Sequence, residues 1–505
     1  MREMKDSGIE WIGAIPAAWG VHRIASHFQE IKEKNTANAY SNALQFKMGK
    51  IIAKPQKWDE DETNETYSAY TVVHPNTIMI NGLNLEFDFV TQRVARVECN
   101  GIITSAYIAL SPRNDINAEY ICYLLKSYDA CRAFHSMGRG LRKILSYSEL
   151  KNKPIVVPPL AKQEHIAAFL DAECAEIDAV LEKTRASIEE YKKLKQAVIT
   201  QAVTKGIRGD RPMKDSGIEW IGEIPAEWRK TQLRHCAAIK SGITLGKKYE
   251  KTDSLVERPY LRVANVQDGY VDLSVLTTIK VTQDEDLKYR LRAGDVLMTE
   301  GGDRDKLGRG CVWHGEIEPC LHQNHIFAVQ TSKDTLLPEF LEYLTVSDVG
   351  RSYFDVTAIK TTNLACTSSS KVLAFTIPLP SVEEQAEIVE ALNTKCAGID
   401  ALVAKKQQYL TDIENYKKSL IYEYVTGKKE VVSMNPFYNI WNYDYIQQQA
   451  QMQHHFSQVK QVQDTAKALS DFLDGCDKIE PAYQQQATAE FCAVIAAYFN
   501  KHNRG

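Results

Sequence analysis

The amino-acid sequence predicts an α/β (α+β) protein made of two related halves, each with a small mixed sheet followed by a long helix. Three observations support this fold class. A 16-residue segment occurs twice, a long amphipathic pattern occurs twice, and strand-like and short helix-like patterns fill the stretches between them. The chain has 505 residues, which is too many for one ordinary hydrophobic core. We therefore expect at least two domains.

The repeated segment, called the box below, reads M-K-D-S-G-I-E-W-I-G-x-I-P-A-x-W. It begins at residue 4 and again at residue 213, and fourteen of its sixteen positions are identical in the two copies. The spacing of 209 residues is far longer than the repeat of a solenoid. The box therefore indicates a tandem duplication of a domain-sized unit.

A second repeated element begins at Pro158 and near Pro378, and each copy predicts a helix of about 40 residues, roughly 60 Å long. Apolar residues recur every three or four positions, with one gap in each copy at Thr184 and Lys406. These positions are Cys174, Ile177, Leu181, Ile188, Tyr191 and Val198 in the first copy, and Cys396, Ile399, Val403, Leu410, Ile413 and Leu420 in the second. A helix of this length needs a partner along its length. We expect the two copies to form an antiparallel coiled coil with the intervening domains at opposite ends; the alternative is two core helices packed on their own domains.

The stretches between the repeats share little sequence. Strand-like patterns lie at 71–73, 77–80 and 101–110 in the first stretch, with helical patterns near 117–135. In the second stretch they lie at 260–266, 296–299, 311–314 and 325–329, with a helix near 338–347. The predicted organisation is box and domain at 1–157, long helix at 158–209, box and domain at 210–377, long helix at 378–431, and a small α-helical C-terminal extension at 434–505.

Composition narrows the class of protein. The formal net charge is −4, yet the first stretch (20–157) carries 17 basic against 14 acidic residues, and the second (229–377) carries 20 against 19. No apolar run reaches the roughly 18 residues of a membrane helix, so we expect a cytoplasmic protein. The eleven cysteines are scattered without a C-x-x-C pair, which is typical of a reduced protein without zinc.

Polar loops in the two domains supply candidate nucleic-acid contacts. Arg and Lys pair with guanine edges or phosphates, and Asn and Gln pair with adenine edges. Two glycine-rich basic clusters, 138–143 and 301–310, have the strongest signal, because glycine allows a phosphate to approach the backbone. The candidates are Lys47, Lys50, Lys54, Asn81, Asn84, Arg93, Arg139, Arg142 and Lys143 in the first domain, and Arg262, Asn265, Arg304, Lys306, Arg309, Gln323, Asn324 and His325 in the second. For any single residue, a solvated surface role is the competing interpretation.

Motifs of catalysis are absent or incomplete. The sequence contains no G-x-x-x-x-G-K-[ST] loop, and neither basic glycine cluster matches a dinucleotide fingerprint. His322 and His325 have a metal-like spacing without a third ligand, which favours a structural role. Asn435-Pro436-Phe437-Tyr438 resembles the tetrapeptide that holds the flipped base in adenine methyltransferases, but no cofactor motif precedes it. We therefore predict no catalytic centre and no metal site.

The doubled box, the P-P-L-A-K-Q-E-H-I-A-A-F-L-D opening of the first long helix and its V-T-K-G end resemble the specificity subunits of type I restriction–modification systems. The segments 80–110 and 294–329 are similar to target-recognition domains of that family. The resemblance covers about residues 1–431 and implies that each domain reads half of a split, asymmetric DNA site while the helix pair fixes the gap.

The same resemblance implies partners and cofactors. Two methyltransferase (modification) subunits would dock on the repeated elements, and two restriction/motor subunits would join them. S-adenosylmethionine, ATP and Mg²⁺ would then belong to the partners, leaving no cofactor on this chain. The residues expected to dock partners are Trp11, Ile12, Trp220, Ile221, Gln163 and Gln385. The competing hypotheses are an enzyme that modifies or cuts DNA alone, and a coiled-coil scaffold that does not read DNA.

Overall fold

The structure is a computed structural model that describes residues 2–55, 66–90, 92–140, 143–250, 253–302, 307–360 and 365–431. The predicted extension at 434–505 lies outside these residues, as do Arg142, Arg304 and Lys306. The described residues form two compact units, one of residues 2–176 and 418–431 and the other of residues 177–417. Each long helix therefore contributes one end to each unit. Within the described residues, no helix is long and apolar enough to cross a membrane.

The first domain is organised around a four-stranded antiparallel sheet. In spatial order its strands are Phe28–Glu30, Ile108–Pro112, Ile78–Ile80 and Val94–Arg96. Two-stranded ribbons surround it: Met4–Asp6 with Ala14–Pro16, Gly20–Arg23 with Pro154–Val157, Leu44–Lys47 with Lys50–Ala53, and Thr71–Val73 with Gly101–Ile103. The helices are Ile24–His27, Ala118–Ala130, Ala133–Met137 and Tyr147–Leu150.

Helix Ala118–Ala130 covers one face of this sheet, next to strand Val94–Arg96. Its buried residues Ile121, Leu124 and Leu125 recur at the three- and four-residue spacing of an amphipathic helix. The Asn117 side chain caps the helix by accepting from the Tyr120 N–H at 2.8 Å. Local sequence signals and burial thus agree on where this helix begins and which face it buries.

The second domain repeats the same sheet with different residues. In spatial order its strands are Ala237–Ser241, Ile326–Thr331, Val296–Thr299 and Gly310–Val312, all antiparallel. In both domains the spatial order is first, fourth, second and third strand along the chain. The two stretches that share little sequence therefore fold with one topology.

Further strands of the second domain form two three-stranded sheets and two ribbons. They are Thr277–Thr282, Leu255–Leu261 and Leu321–His322; Gly301–Gly302, Ala365–Cys366 and Ile359–Lys360; Met213–Asp215 with Glu223–Pro225; and Arg229–Gln232 with Thr376–Leu379. The helices are Gln283–Tyr289, Pro338–Val346, Asp348–Thr357 and Ser369–Ala374, with 3₁₀ turns at Leu233–His235 and Val263–Asn265.

The two long helices run over Leu160–Lys205, 46 residues, and Val382–Val425, 44 residues. Ion pairs within the second unit show that they are antiparallel, because residue numbers rise along one helix as they fall along the other. These pairs are Asp178–Lys417, Arg185–Glu414 and Lys195–Asp400, at 2.6 to 2.7 Å. The antiparallel coiled coil predicted from the sequence is confirmed.

The predicted apolar seam lies in the interior of the helix pair. Cys174, Ile177, Leu181 and Ile188 are buried on the first helix, and Cys396, Ile399 and Leu420 on the second. The Thr184 hydroxyl donates to the Val180 carbonyl at 2.8 Å, and the Lys406 ammonium lies 5.5 Å from the Tyr191 ring centroid. The two gaps in the apolar pattern are thus occupied by polar groups packed into the seam.

Two strand predictions were wrong. The apolar run at 101–110 forms two strands, since a turn closed by the Tyr107 N–H and the Thr104 carbonyl separates them. The predicted strand at 260–266 ends at Leu261, because Asn265 accepts from the Arg262 N–H at 2.8 Å and turns the chain. In both places a local side chain or turn competes with the extended pattern.

Candidate nucleic-acid interface

Two segments of the first domain that contain predicted DNA contacts lie side by side, although they are about 50 residues apart in the sequence. The segment 81–90, called the apolar loop, connects the second and third strands of the sheet, and the basic turn at 138–145 packs against it. The Leu145 N–H donates to the Gly82 carbonyl at 2.9 Å, and the Leu85 N–H donates to the Lys143 carbonyl at 3.3 Å. A Cβ at position 82 would lie 2.2 Å from the Leu145 carbonyl oxygen, so only glycine allows this approach.

This junction collects several of the predicted DNA contacts on one surface. Asn84, Arg139 and Lys143 are exposed there, and Asn81 is half-buried. The Lys143 ammonium is 2.7 Å from the Glu86 carboxylate, an exposed pair of the kind that exchanges readily for a phosphate. Arg142, the remaining basic candidate of the turn, is outside the described residues.

Arg93 has an interior placement that differs from the predicted DNA contact. It is fully buried, and its guanidinium donates to the carbonyls of Asn81, Leu83 and Asp88 at 2.6 to 3.1 Å. The Asp88 carboxylate lies 3.6 Å away. Because both terminal nitrogens of its guanidinium bond to loop carbonyls in the interior, Arg93 holds the apolar loop in place and does not face DNA.

Lys47 and Lys50 lie at the end of the hairpin formed by Leu44–Lys47 and Lys50–Ala53. Both are exposed, as is Met48 between them, while Lys54 is half-buried. The turn lies next to Gln92, two residues beyond the apolar loop, because a Cβ on Gly49 would approach the Gln92 side chain to 2.4 Å. The hairpin thus adds positive charge beside the same loop.

In chain order, the basic glycine cluster 301–310 falls between the second and third strands of its sheet, as the apolar loop does in the first domain; its residues 303–306 lie outside the described residues. A later segment of the domain pairs with the start of this cluster, as the basic turn does with the apolar loop. Strand Gly301–Gly302 pairs with Ala365–Cys366, which also pairs with Ile359–Lys360. Arg309 is half-buried, with its guanidinium 3.9 Å from the Asp268 carboxylate. The loops 81–90 and 301–310 both contain residues predicted to contact DNA, but the sequence does not reveal that the two loops are topologically equivalent.

The remaining candidates of the second domain lie around the turn before strand Ile326–Thr331. His325 is exposed, with its ring Nδ1 beside the Glu300 carboxylate, and Gln323 and Asn324 are half-buried. Arg262 is exposed. Asn265 is buried and its amide donates to the carbonyls of Asp272 and Val275, which is a structural placement and a second correction to the predicted contacts.

His322 and His325 do not share a ligand direction. The buried His322 ring donates from Nδ1 to the Ile326 carbonyl at 3.0 Å, and burial lowers its pKa to about 4. His325 instead faces Glu300. Within the described part of the chain, no group of three His, Cys, Asp or Glu side chains is placed to hold a metal ion.

Gln163 and Gln385, predicted to dock a partner, are internal in both repeats. Each accepts at Oε1 from the backbone N–H that precedes a domain helix, Asn117 or Leu337, at 2.9 and 2.8 Å. Each donates from Nε2 to two carbonyls, those of Pro158 and Asp115 or of Pro380 and Thr335. A buried glutamine with these three bonds cannot face a partner, so it fixes the long helix on its domain.

Of the box residues predicted to dock partners, Ile12 and Ile221 are buried and therefore have a core placement, which corrects that prediction. Trp11 and Trp220 are half-buried. Trp11 packs edge-on to Tyr128, at 5.5 Å between ring centroids. The indoles are the docking candidates of the box that retain an exposed surface.

The box of each unit also meets the C-terminal end of a long helix. In the second unit, Arg211 donates to the Lys205 carbonyl and to Glu384. In the first unit, Arg2 donates to the Gly427 carbonyl, and Tyr422 donates to the carbonyls of Trp11 and Ile12. Arg2 and Arg211 differ by 209 positions, as do the boxes, so the two contacts are equivalent.

Comparison with known proteins agrees with this architecture. Residues 99–190 match the family model of the type I restriction modification DNA specificity domain. The chain is 25% identical over 437 residues to the type I restriction enzyme MjaVIII specificity subunit of Methanocaldococcus jannaschii, which covers 83% of this chain and 95% of that protein. It is 26% identical over 332 residues to the EcoKI specificity subunit of Escherichia coli K12, covering 63% and 67%.

The fold has a counterpart among solved structures. A chain from a structure of the complex assembly and conformational transition of the type I R-M system superposes with a TM-score of 0.61 at 16% identity, covering 82% of this chain and 99% of that one. The two related domains, the long antiparallel helices and the match to a DNA specificity domain at 99–190 all agree with the architecture of a DNA specificity subunit. The chain is similar to the specificity subunits of type I restriction–modification systems in sequence, and residues 99–190 match their DNA specificity domain.

Proposed function

We propose that this chain reads a bipartite, asymmetric DNA site, one half with each domain, and scaffolds the methyltransferase and restriction subunits of its complex. One observation carries this proposal. The two domains share a strand order, and in each the segment after the second strand bonds to a later segment of the domain, but the side chains there differ. Equal frames favour equal placement on DNA, whereas unequal side chains favour unequal half-sites.

The proposed contacts are those candidates that reach the surface. In the first domain they are Lys47, Lys50, Asn81, Asn84, Arg139 and Lys143, and in the second they are Arg262, Arg309, Gln323, Asn324 and His325. Arg142, Arg304 and Lys306 belong to the same clusters in sequence. Because most of these side chains suit phosphates as well as bases, affinity should fall steeply as salt rises.

The proposed partners dock on what the two halves have in common. Those elements are the boxes, with half-exposed Trp11 and Trp220, and the long helices. Two copies of a surface suit two methyltransferase subunits, with two restriction/motor subunits completing the complex in the cytoplasm. S-adenosylmethionine, ATP and Mg²⁺ are proposed to bind to those partners.

Sequencing of methylated adenines tests this function. The gene is expressed with its methyltransferase in a host that lacks other adenine methylation, and the modified motif is read from the genome. We expect a split motif with two different halves. The paired variant Arg139→Ala/Lys143→Ala should relax the motif in one half, and Arg309→Ala should relax the other half.

Other outcomes favour the competing hypotheses. Methylation or cleavage of DNA by the purified chain alone would indicate an enzyme. A complex with methyltransferase that does not retard any duplex in a gel would indicate a scaffold. A continuous palindromic motif would contradict the assignment of one half-site to each domain.

A further inference from the structure

The apolar loop of the first domain presents large hydrophobic side chains to solvent. Phe87 is 75% exposed and Val90 is 81% exposed, while Phe89 between them is 55% exposed. Exposed apolar clusters on a folded surface mark places where a ligand or partner covers them. The cluster needs an explanation, because the same loop is surrounded by the polar groups of the candidate DNA interface.

The loop is held in a shape that keeps this tip exposed. Arg93 fastens three of its carbonyls from below, the Phe87 and Asp88 N–H groups donate to the Asn84 carbonyl, and the Val90 N–H donates to the Asp88 carboxylate. These bonds fix the backbone of the loop in a conformation in which Phe87 and Val90 are exposed. A preorganised tip loses little conformational entropy when it binds.

Phe89 has a different environment from the tip residues. Its ring stacks on His135 at 5.1 Å between centroids, with an interplanar angle of 8°, and the Arg132 guanidinium lies 5.1 Å from its centroid. Phe89 therefore acts as the base of the tip, and Phe87 and Val90 form its leading edge.

The charged residues around the tip indicate which kind of molecule binds there. Cationic side chains lie near the loop in two groups: Arg132, Arg139 and Lys143 at or near the basic turn, and Lys47 and Lys50 on the hairpin beside Gln92. The acidic groups of the loop, Glu86 and Asp88, are paired with Lys143 and Arg93. An exposed apolar edge with two groups of cations nearby suits a nucleic acid, whose bases are apolar and whose backbone is anionic.

A protein partner fits this surface less well. A stable protein interface buries about 800 Å² on each side around an apolar centre. Two side chains at the tip of one loop, surrounded by cations, do not provide such a centre. Proteins that deform DNA, by contrast, insert one or two apolar side chains between base pairs from a basic surface.

We propose that Phe87 and Val90 form an apolar wedge that enters the stack between two base pairs in the half-site read by the first domain. The wedge unstacks that step and bends the duplex, so part of the sequence preference in this half comes from how easily the step opens. The second domain carries the charged cluster 301–310 at the equivalent place, so we expect no such wedge there. This inference rests on the proposed function.

Fluorescence of 2-aminopurine tests the wedge. The full chain, with its methyltransferase, is bound to duplexes that carry the split motif and have 2-aminopurine at each position in turn. For the wild-type chain we expect fluorescence to rise at one step of one half-site, at a position other than the methylated base. Phe87→Ala/Val90→Ala should abolish this rise and weaken binding about tenfold, whereas Phe87→Leu should retain both.

Leu287→Ala is the matched control, because Leu287 is an apolar residue of the second domain with 63% exposure; it should leave the fluorescence unchanged. Unchanged fluorescence and affinity in Phe87→Ala/Val90→Ala would overturn the wedge. So would normal DNA binding by that variant combined with loss of the methyltransferase, which would assign the tip to a protein partner. Failure of the proposed function is seen separately, as absence of DNA binding by the wild-type complex.

Discussion

Gln163 and Gln385 connect each long helix to its domain through side-chain hydrogen bonds in the interior. Replacing either by alanine leaves one buried N–H and two buried carbonyls without these partners. We expect Gln163→Ala and Gln385→Ala each to lower the free energy of unfolding of its own unit by about 2 kcal/mol. Chemical denaturation, followed by tryptophan fluorescence, measures the loss.

The control for this prediction is Gln201→Ala, since Gln201 is an exposed glutamine on the same long helix as Gln163. Its stability should stay within about 0.5 kcal/mol of the wild type. Equal stability of Gln163→Ala and Gln201→Ala would show that the internal bonds contribute nothing measurable.

His322 makes the second domain sensitive to acid. Its pKa is lowered to about 4 by burial, whereas an unfolded histidine has a pKa of about 6.5. The unfolded state therefore binds the proton first, and the stability contributed by neutral His322 is present above pH ~6.5 and is lost as the pH falls toward 4. The loss amounts to about 3 kcal/mol.

Urea unfolding between pH 7.5 and 4 measures this effect. His322→Asn removes the titrating group, so its stability should depend less on pH than that of the wild type over this range. His314→Asn, at an exposed position of the same domain, should follow the wild-type profile. A His322→Asn profile parallel to the wild type would contradict the assignment.

Individual residues were the hardest features to predict from sequence. Arg93 and Asn265 are of residue types that often contact DNA, yet both are buried and bonded to backbone carbonyls. A polar residue in a loop carries the same sequence signal whether it faces outward or holds the loop together. Phe87 is not a polar residue and was therefore not among the predicted contacts. The apolar residues that alternate with polar ones at 83–90, in a loop between strands, could have indicated an exposed apolar tip.

At the scale of elements, the seam of the helix pair contains one polar side chain in each copy, at equivalent positions. Thr184 satisfies its hydroxyl within its own helix. Lys406 is half-buried against Tyr191, and this burial lowers the pKa of its ammonium. A lysine in a coiled-coil seam selects register at a cost in stability.

Replacing Lys406 by methionine should therefore stabilise the helix pair. Lys406→Met keeps the apolar stem against Tyr191 and removes the partly desolvated charge, so we expect a gain of about 1 kcal/mol. Thermal unfolding measures the gain. Lys405→Met, at the neighbouring exposed position, should give no gain; a larger effect at 405 than at 406 would contradict this interpretation.

Elements were predictable where a pattern has a period. The helix pair followed from apolar spacing alone, and the strands at 71–73 and 296–299 followed from short apolar runs. The common strand order of the two domains was not predictable, since it depends on pairings between strands such as Phe28–Glu30 and Ile108–Pro112, about 80 residues apart. The contacts of the two loops with later segments were missed for the same reason.

At the scale of the whole molecule, the first unit is built from two stretches that are far apart in the sequence. Tyr422 donates to the carbonyls of Trp11 and Ile12, and Tyr120 donates to the Val425 carbonyl. A chain that stops after Lys417 lacks these contacts, so we expect its first box to lose structure while the second box keeps it. A chain that stops after Val431 retains them.

Hydrogen exchange distinguishes the two truncations. Amides of the first ribbon, Met4–Asp6 with Ala14–Pro16, should exchange at least tenfold faster in the shorter chain, whereas those of Met213–Asp215 with Glu223–Pro225 should be unchanged. Equal protection of the first ribbon in both truncations would show that residues 418–431 do not stabilise it.

The division of the chain also sets an order of events during synthesis. The second unit is one continuous stretch, 177–417, and can complete its core while translation is still in progress. The first unit cannot, because Trp11 and Ile12 of its box bond to Tyr422, which is synthesised more than 400 residues later. Contacts between the first box and Tyr422 therefore form only after the ribosome has passed that residue, so the first unit completes its structure later than the second.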